Sequence, residues 1–231
     1  MINFETILYS LLGGILPALL WLWFWLHEDK KHPEPRSLVA KTFLLGMLSV
    51  LLVLPFQKGI EILLPGMILP AIFLWALFEE VFKLGAGYFG GLHSREDNEP
   101  MDPIIYMITA ALGFVALENT LFLLGPIIGA DFVGSFVTGN LRFVGASLLH
   151  VVSSGFIGVA LAFTFYKPKE VRRKWLLSAL VTAIVFHTGF NMSILKLDGI
   201  GTIISFLGVW LGVIFIIWAF ERTKLIAPRR L

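Results

Sequence analysis

The chain has 231 residues, 57% of them hydrophobic, with a net charge of +2 and no cysteine. Soluble domains are roughly 45–50% apolar, so the composition points to an integral membrane protein and leaves no length for a separate soluble domain. The missing cysteines exclude disulfides, thiolate ligands and a cysteine nucleophile, and the near-neutral charge gives no sign of nucleic-acid binding.

Seven segments reach spanning length, predicting an all-α polytopic protein with a single transmembrane domain over 1–231. The first, 5–26, follows Met1-Ile2-Asn3-Phe4-Glu5. That start lacks the basic region of a secretory signal, so the segment reads as a retained span. The second, 38–57, carries only Lys41, close to one end. The third, 67–89, holds Glu79, Glu80 and Lys83, and the fourth, 103–128, holds Glu118 and Asn119. Residues 129–140 are glycine-rich and less apolar, fitting a loop, a short interfacial helix or a re-entrant piece. Arg142 opens the fifth span, 141–166, which also holds His150. The sixth, 175–195, holds His187 and Asn191, and the seventh, 200–220, has no interior charge. No internal repeat is visible, which counts against a transporter made of duplicated halves.

Loop charges set the orientation. Lys30, Lys31 and Arg36 follow span one, and Arg95 follows span three. Lys167, Lys169, Arg172, Arg173 and Lys174 follow span five, and Arg222, Lys224, Arg229 and Arg230 follow span seven. The alternate loops offer little beyond Lys58 and Lys196. The positive-inside rule then puts the N-terminus outside and the C-terminus in the cytoplasm of a multi-pass cell-membrane protein. The run from Lys167 to Lys174 reads as that orientation signal and an anionic-lipid contact.

Ionisable groups at bilayer depth cost about 2.5–3.5 kcal/mol each, so a chain keeps them where they pair, bind an ion or do chemistry. Counted from the outer ends of their spans, Glu79 lies about 18 Å deep, Glu118 about 15 Å, His150 about 13 Å and His187 about 12 Å. The four are therefore expected to meet at one level in the outer half of the bilayer. The catalytic core becomes 67–195, with 5–57 and 200–220 as a wrapper.

Glu79 and Glu80 read as a general base for water or as metal ligands; the plainer alternative is a structural pair neutralised by Lys83, three and four residues on. Lys83 either supports the carboxylates or snorkels to the cytoplasmic face. Glu118 with Asn119 serves the site, or forms an interhelical ion pair with Arg142; Arg142 supports Glu118 or substrate, or reaches the outer headgroups. His187 and Asn191, stacked at i, i+4, can donate hydrogen bonds to a developing oxyanion; Asn191 could equally tie helices together. Ser153, Ser154 and Gly155, after His150, suit close helix approach. Glu80, Glu118, His150 and His187 form a candidate ligand set for one divalent ion, Zn²⁺ above others, with a position left for water. The same groups also suit a metal-free, glutamate-based mechanism, and both chemistries stand.

Glu79-Glu80-Val81-Phe82-Lys83 resembles the first motif of the PrsW family of intramembrane proteases. That family shares a superfamily with the type II CAAX prenyl endopeptidases and bacteriocin-immunity membrane proteins. Phe114-x-x-x-Glu118-Asn119 resembles the second motif, the segment from Arg142 to His150 the third, and His187-x-x-x-Asn191 the last. The order matches on four successive spans, over most of 70–195. The resemblance implies an intramembrane endopeptidase that cuts a membrane-anchored protein, such as an anti-sigma factor, near the outer face. In that reading Glu79 or Glu80 activates water, His150 and Glu118 bind metal or position the water, and His187 with Asn191 stabilises the oxyanion. The CAAX endopeptidases carry Glu-Glu-x-x-x-Arg and a histidine in the second motif. Lys83 and Glu118 depart from that pattern, which points away from prenylated substrates and towards a metalloprotease. Without the resemblance, the same groups also fit a proton-coupled transporter or ion channel, or a non-catalytic membrane immunity protein.

Overall fold

The computed structural model describes residues 3–28, 33–129, 134, 145–196 and 200–226. Among them the chain forms seven α-helices and no strand. These are α1 (Phe4–Glu28), α2 (Arg36–Leu63), α3 (Ile68–Gly87), α4 (Asp102–Ile128), α5 (Ser147–Phe163), α6 (Lys169–Lys196) and α7 (Ile200–Thr223). The expected all-helical, multi-pass architecture is the one the chain adopts. Five helices, α1, α2, α4, α6 and α7, are long and apolar enough to cross a membrane. The other two differ for separate reasons. α3 carries Glu79, Glu80 and Lys83 within 20 residues, and the described part of α5 has 17 residues, fewer than the ~20 a span needs. Arg142 and all of 129–140 except Gly129 and Gly134 lie outside the described residues.

Two helix ends move relative to expectation. α2 runs on past residue 57 to Leu63 despite Pro55, and α6 begins at Lys169, so its basic first turns are helical. α3 passes into a π-helical turn, Tyr88–Leu92, that leads into the connection to α4.

α4 is the axis of the bundle. Pro103 sits in its first turn, where the missing N–H costs no helical hydrogen bond. Every residue from Asp102 to Ala116 is buried, as befits a helix that is apolar on nearly all sides. α1, α2, α3 and α5 all pack against it. The crossing with α2 is the tightest constraint. A Cβ on Gly113 would stand 2.0 Å from the Phe43 carbonyl oxygen, and one on Gly46 2.2 Å from that of Ala110. Hydrogen at both positions lets the two backbones touch. Next along α4, Phe114 packs with Val50 and Val53 of α2 and beside Phe78 and Phe82 of α3. This contact fixes the separation of α2, α3 and α4 where the polar residues converge.

The α3–α4 connection is held by carboxylates. Asp102 Oδ2 accepts the backbone N–H groups of Asn98 (2.8 Å) and Glu99 (2.7 Å), and Tyr106 donates its hydroxyl to Glu34, just before α2. Asp97 Oδ1 is buried with no hydrogen-bond partner among the described residues. Burial and the neighbouring Asp102 push the Asp97 carboxyl up to about 7, against the pull of Arg172.

Gly113→Ala should destabilise the solubilised protein by about 1–3 kcal/mol through overpacking. Gly59→Ala, where a Cβ meets nothing within 4 Å, should leave the melting temperature unchanged or slightly raised. Because the folded state holds the Asp97 proton more tightly than the unfolded chain, stability should fall as pH rises from about 4 to about 7. Asp97→Asn should flatten that limb, with a higher melting temperature than the parent at pH 8 and the same one at pH 4.

Candidate active site

α3, α4, α5 and α6 each send polar side chains to one place. Lys83 lies one turn beyond Glu79 and Glu80, and both Glu80 and Lys83 are fully buried, at 0% exposure. Lys83 Nζ donates to Glu80 Oε1 at 2.6 Å. Ser153 Oγ (2.8 Å) and His187 Nδ1 (2.8 Å) meet the same oxygen, and Ser154 donates to Oε2 at 3.3 Å. Donors from α3, α5 and α6 thus occupy both oxygens. A carboxylate offers only lone pairs, so His187 Nδ1 carries a hydrogen, and in the neutral ring Nε2 presents a lone pair on the other side.

Lys83 does not snorkel. Its ammonium also reaches His150 Nδ1 at 2.9 Å and lies over the Phe114 ring, 5.3 Å from the centroid. An ammonium has no lone pair, so Nδ1 accepts and the hydrogen of His150 sits on Nε2, which faces Glu118 Oε2 at 3.3 Å. The His150 and His187 rings meet edge to face, with centroids 4.9 Å apart.

Glu79 faces a different way. Residues adjacent on a helix are rotated by about 100°, so two neighbouring carboxylates point to different surroundings. Glu79 Oε1 accepts a hydrogen bond from Gln57 Nε2 of α2 at 2.8 Å. Oε2 is buried with no hydrogen-bond partner among the described residues, and His187 Nε2 stands 3.5 Å from it. Ligand atoms of Glu79, His150 and His187 lie within 4.8 Å of one another. This trio, with its orphaned carboxylate oxygen and an imidazole oriented by Glu80, fits one divalent metal ion; the carboxylate–histidine relay is the usual outer support of such a site. His150 would join as a ligand through Nε2 only with its hydrogen moved to Nδ1: Lys83 would give Nδ1 a proton and become a neutral amine, and the Nε2 proton would leave through Glu118 to the cavity. Glu80, expected among the ligands, lies behind the trio with both oxygens bonded.

A cavity of about 650 Å³ opens onto these groups; its lining includes Glu79, Glu118, His150, His187 and Asn191, with Gln57 and Glu61 of α2 and apolar residues of α2, α3, α4, α6 and α7. Asn191 thus shares a wall with His187, one turn along α6. Asn119 points aside and donates to Ser147 Oγ at 3.1 Å. The expected residues that the structure describes therefore converge, apart from Asn119, which braces α4 against α5.

Two contributions were missed from the sequence. Ser153 and Ser154 sit three and four residues after His150, on its face of α5, a spacing that could have marked them as donors. Gln57 stood at the expected end of the second span, where an amide is unremarkable; α2 continues beyond it, so the amide lies within the helix.

The sequence model described as PrsW family intramembrane metalloprotease matches residues 34–219. Protease PrsW of Halalkalibacterium halodurans is 27% identical over 94% of this chain and 97% of its own length. Protease PrsW of Geobacillus kaustophilus is 28% identical over 81% of each chain. Protease PrsW of Oceanobacillus iheyensis is 31% identical over 74% of this chain and 79% of its own. No solved structure matches.

Breaking a buried pair strands a charge, which typically costs about 3–5 kcal/mol, whereas removing both partners is far milder. Lys83→Met should therefore lower the melting temperature in detergent sharply, and Glu80→Gln combined with Lys83→Met should recover most of the loss.

Proposed function

The chain belongs to the PrsW family of intramembrane metalloproteases, and from that premise we propose how its residues divide the work. It is a protease and a multi-pass membrane protein, so its substrate is a protein and its surroundings are lipid. We assign Glu79, His150 and His187 to hold one divalent ion, with zinc favoured by the nitrogen and oxygen donors. Such an ion supplies Lewis acidity, polarising the scissile carbonyl and making water nucleophilic near neutral pH. Glu118, beside His150 on the cavity wall, takes the proton from the attacking water and returns it to the leaving amine. Asn191, one turn from His187, donates its amide hydrogens to the tetrahedral oxyanion. Glu80 touches no substrate; it fixes the His187 ring and keeps Lys83 inside. Asn119 braces the wall that carries Glu118.

The observation that carries this assignment is Glu79 Oε2, buried, without a hydrogen-bond partner among the described residues and 3.5 Å from His187 Nε2. The loop charges support an outside N-terminus and a cytoplasmic C-terminus in the cell membrane, which puts the site in the outer half of the bilayer. A membrane-anchored protein, such as an anti-sigma factor, cut near the outer face fits that depth. Family membership weighs against the transporter, channel and immunity readings of the same residues.

Purified protein in detergent should cleave a single-span test substrate. Glu79→Gln, Glu118→Gln and His187→Ala should each lower the rate by at least about 10²-fold. A chelator should abolish cleavage and Zn²⁺ restore it. Undiminished cleavage in Glu79→Gln, or in the presence of chelator, would overturn the assignment.

A further inference from the structure

We propose that Gln57 of α2 is a positioning residue for the reaction, acting by holding one oxygen of Glu79 so that the other faces the ligand trio. The proposal rests on the preceding assignment of Glu79 as a ligand. A glutamate side chain turns about three bonds, and a carboxylate that must present one defined oxygen has to be fixed by the other. The Gln57 amide does this with its N–H donated to Oε1 at 2.8 Å, and Oε2 is left buried and without a hydrogen-bond partner among the described residues. An amide suits the task better than a cation. It donates a directed hydrogen bond without neutralising the charge that a metal ion needs from its ligand.

The stretch of α2 that carries the amide is itself held against α3. Trp75 of α3 donates its indole N–H to the backbone carbonyl of Gln57 at 3.4 Å. Phe56, the preceding residue, stacks on Phe78, next to Glu79 in α3, with centroids 4.6 Å apart, and lies 5.5 Å from Phe82. Pro55 lacks the N–H that would complete the helical ladder two residues before Gln57, a place where a helix bends readily. The aromatic contacts with α3 hold that stretch of α2 in register with the carboxylate. α2 carries none of the four motifs, yet through Gln57 it reaches the reacting groups.

The test uses Gln57→Met, which keeps length and volume but removes the donor, with Gln57→Leu as a second variant. Three quantities are measured on the full-length protein in detergent: kcat and KM for the single-span substrate, Zn²⁺ affinity by competition with a chromophoric chelator, and melting temperature. Gln57→Met is expected to lower kcat at least tenfold with KM within threefold of the parent, and to weaken Zn²⁺ binding about 10–100-fold, the usual cost of losing a residue that supports a ligand. Because Gln57 acts through Glu79, Gln57→Met added to Glu79→Gln should weaken Zn²⁺ binding no further. A merely structural amide would lower the melting temperature and would weaken binding equally in both backgrounds. Unchanged kcat and Zn²⁺ affinity in Gln57→Met, or additive losses with Glu79→Gln, would overturn the proposal. If Gln57→Met is unstable, the same criteria apply to Gln57→Leu. Failure of the parent assignment looks different: there Glu79→Gln itself binds Zn²⁺ and cleaves like the wild type.

Discussion

A carboxylate buried without water must collect hydrogen-bond donors, and Glu80 collects them from Lys83, Ser153, Ser154 and His187. Stripping an ion of water costs several kcal/mol even after the protein relaxes, so this arrangement persists only while every donor is in place. The rest of the site follows from it. The bond to His187 decides which ring nitrogen is open, and the bond to Lys83 keeps an ammonium inside the bundle, where it also directs the hydrogen on His150. Three helices are tied together at one oxygen-rich point, and the two imidazoles receive their orientation from it.

Around that point the bundle separates two carboxylates that are adjacent in sequence. One helical step turns Glu79 away from the donors of Glu80, towards Gln57 of α2, the cavity and the far side of the His187 ring. Whether that turn gives a usable carboxylate depends on how closely α2 approaches, and this is set by backbone contact at Gly46 and Gly113. The scaffold and the chemistry are thus coupled through helix spacing: packing between α2 and α4 determines the surroundings of a side chain on α3.

Much of this was legible in the chain itself. The all-helical, multi-pass class follows from apolar runs, and the convergence of Glu79, Glu118, His150 and His187 from the uniform rise of a helix counted along each run. What the count leaves out is rotation. Depth along a span comes from residue number, but the facing direction comes from the neighbouring helix, so the division of labour between Glu79 and Glu80 and the inward course of Lys83 emerge only in three dimensions. Gln57 escaped because hydropathy marks where the lipid-like stretch ends, whereas the helix itself runs on to Leu63. The two serines escaped because a small hydroxyl residue in a membrane helix equally suits close packing.

The lining of the cavity bears on what can be presented to the trio. Most of its wall is apolar side chain, with Glu79, His150 and His187 together at one place on it. A helix in lipid keeps its carbonyls in its own hydrogen-bond ladder, so chain presented to those groups must have that ladder open. On the assignment proposed above, residues that loosen a helix, such as glycine, proline or β-branched side chains, would ease that opening around a cut.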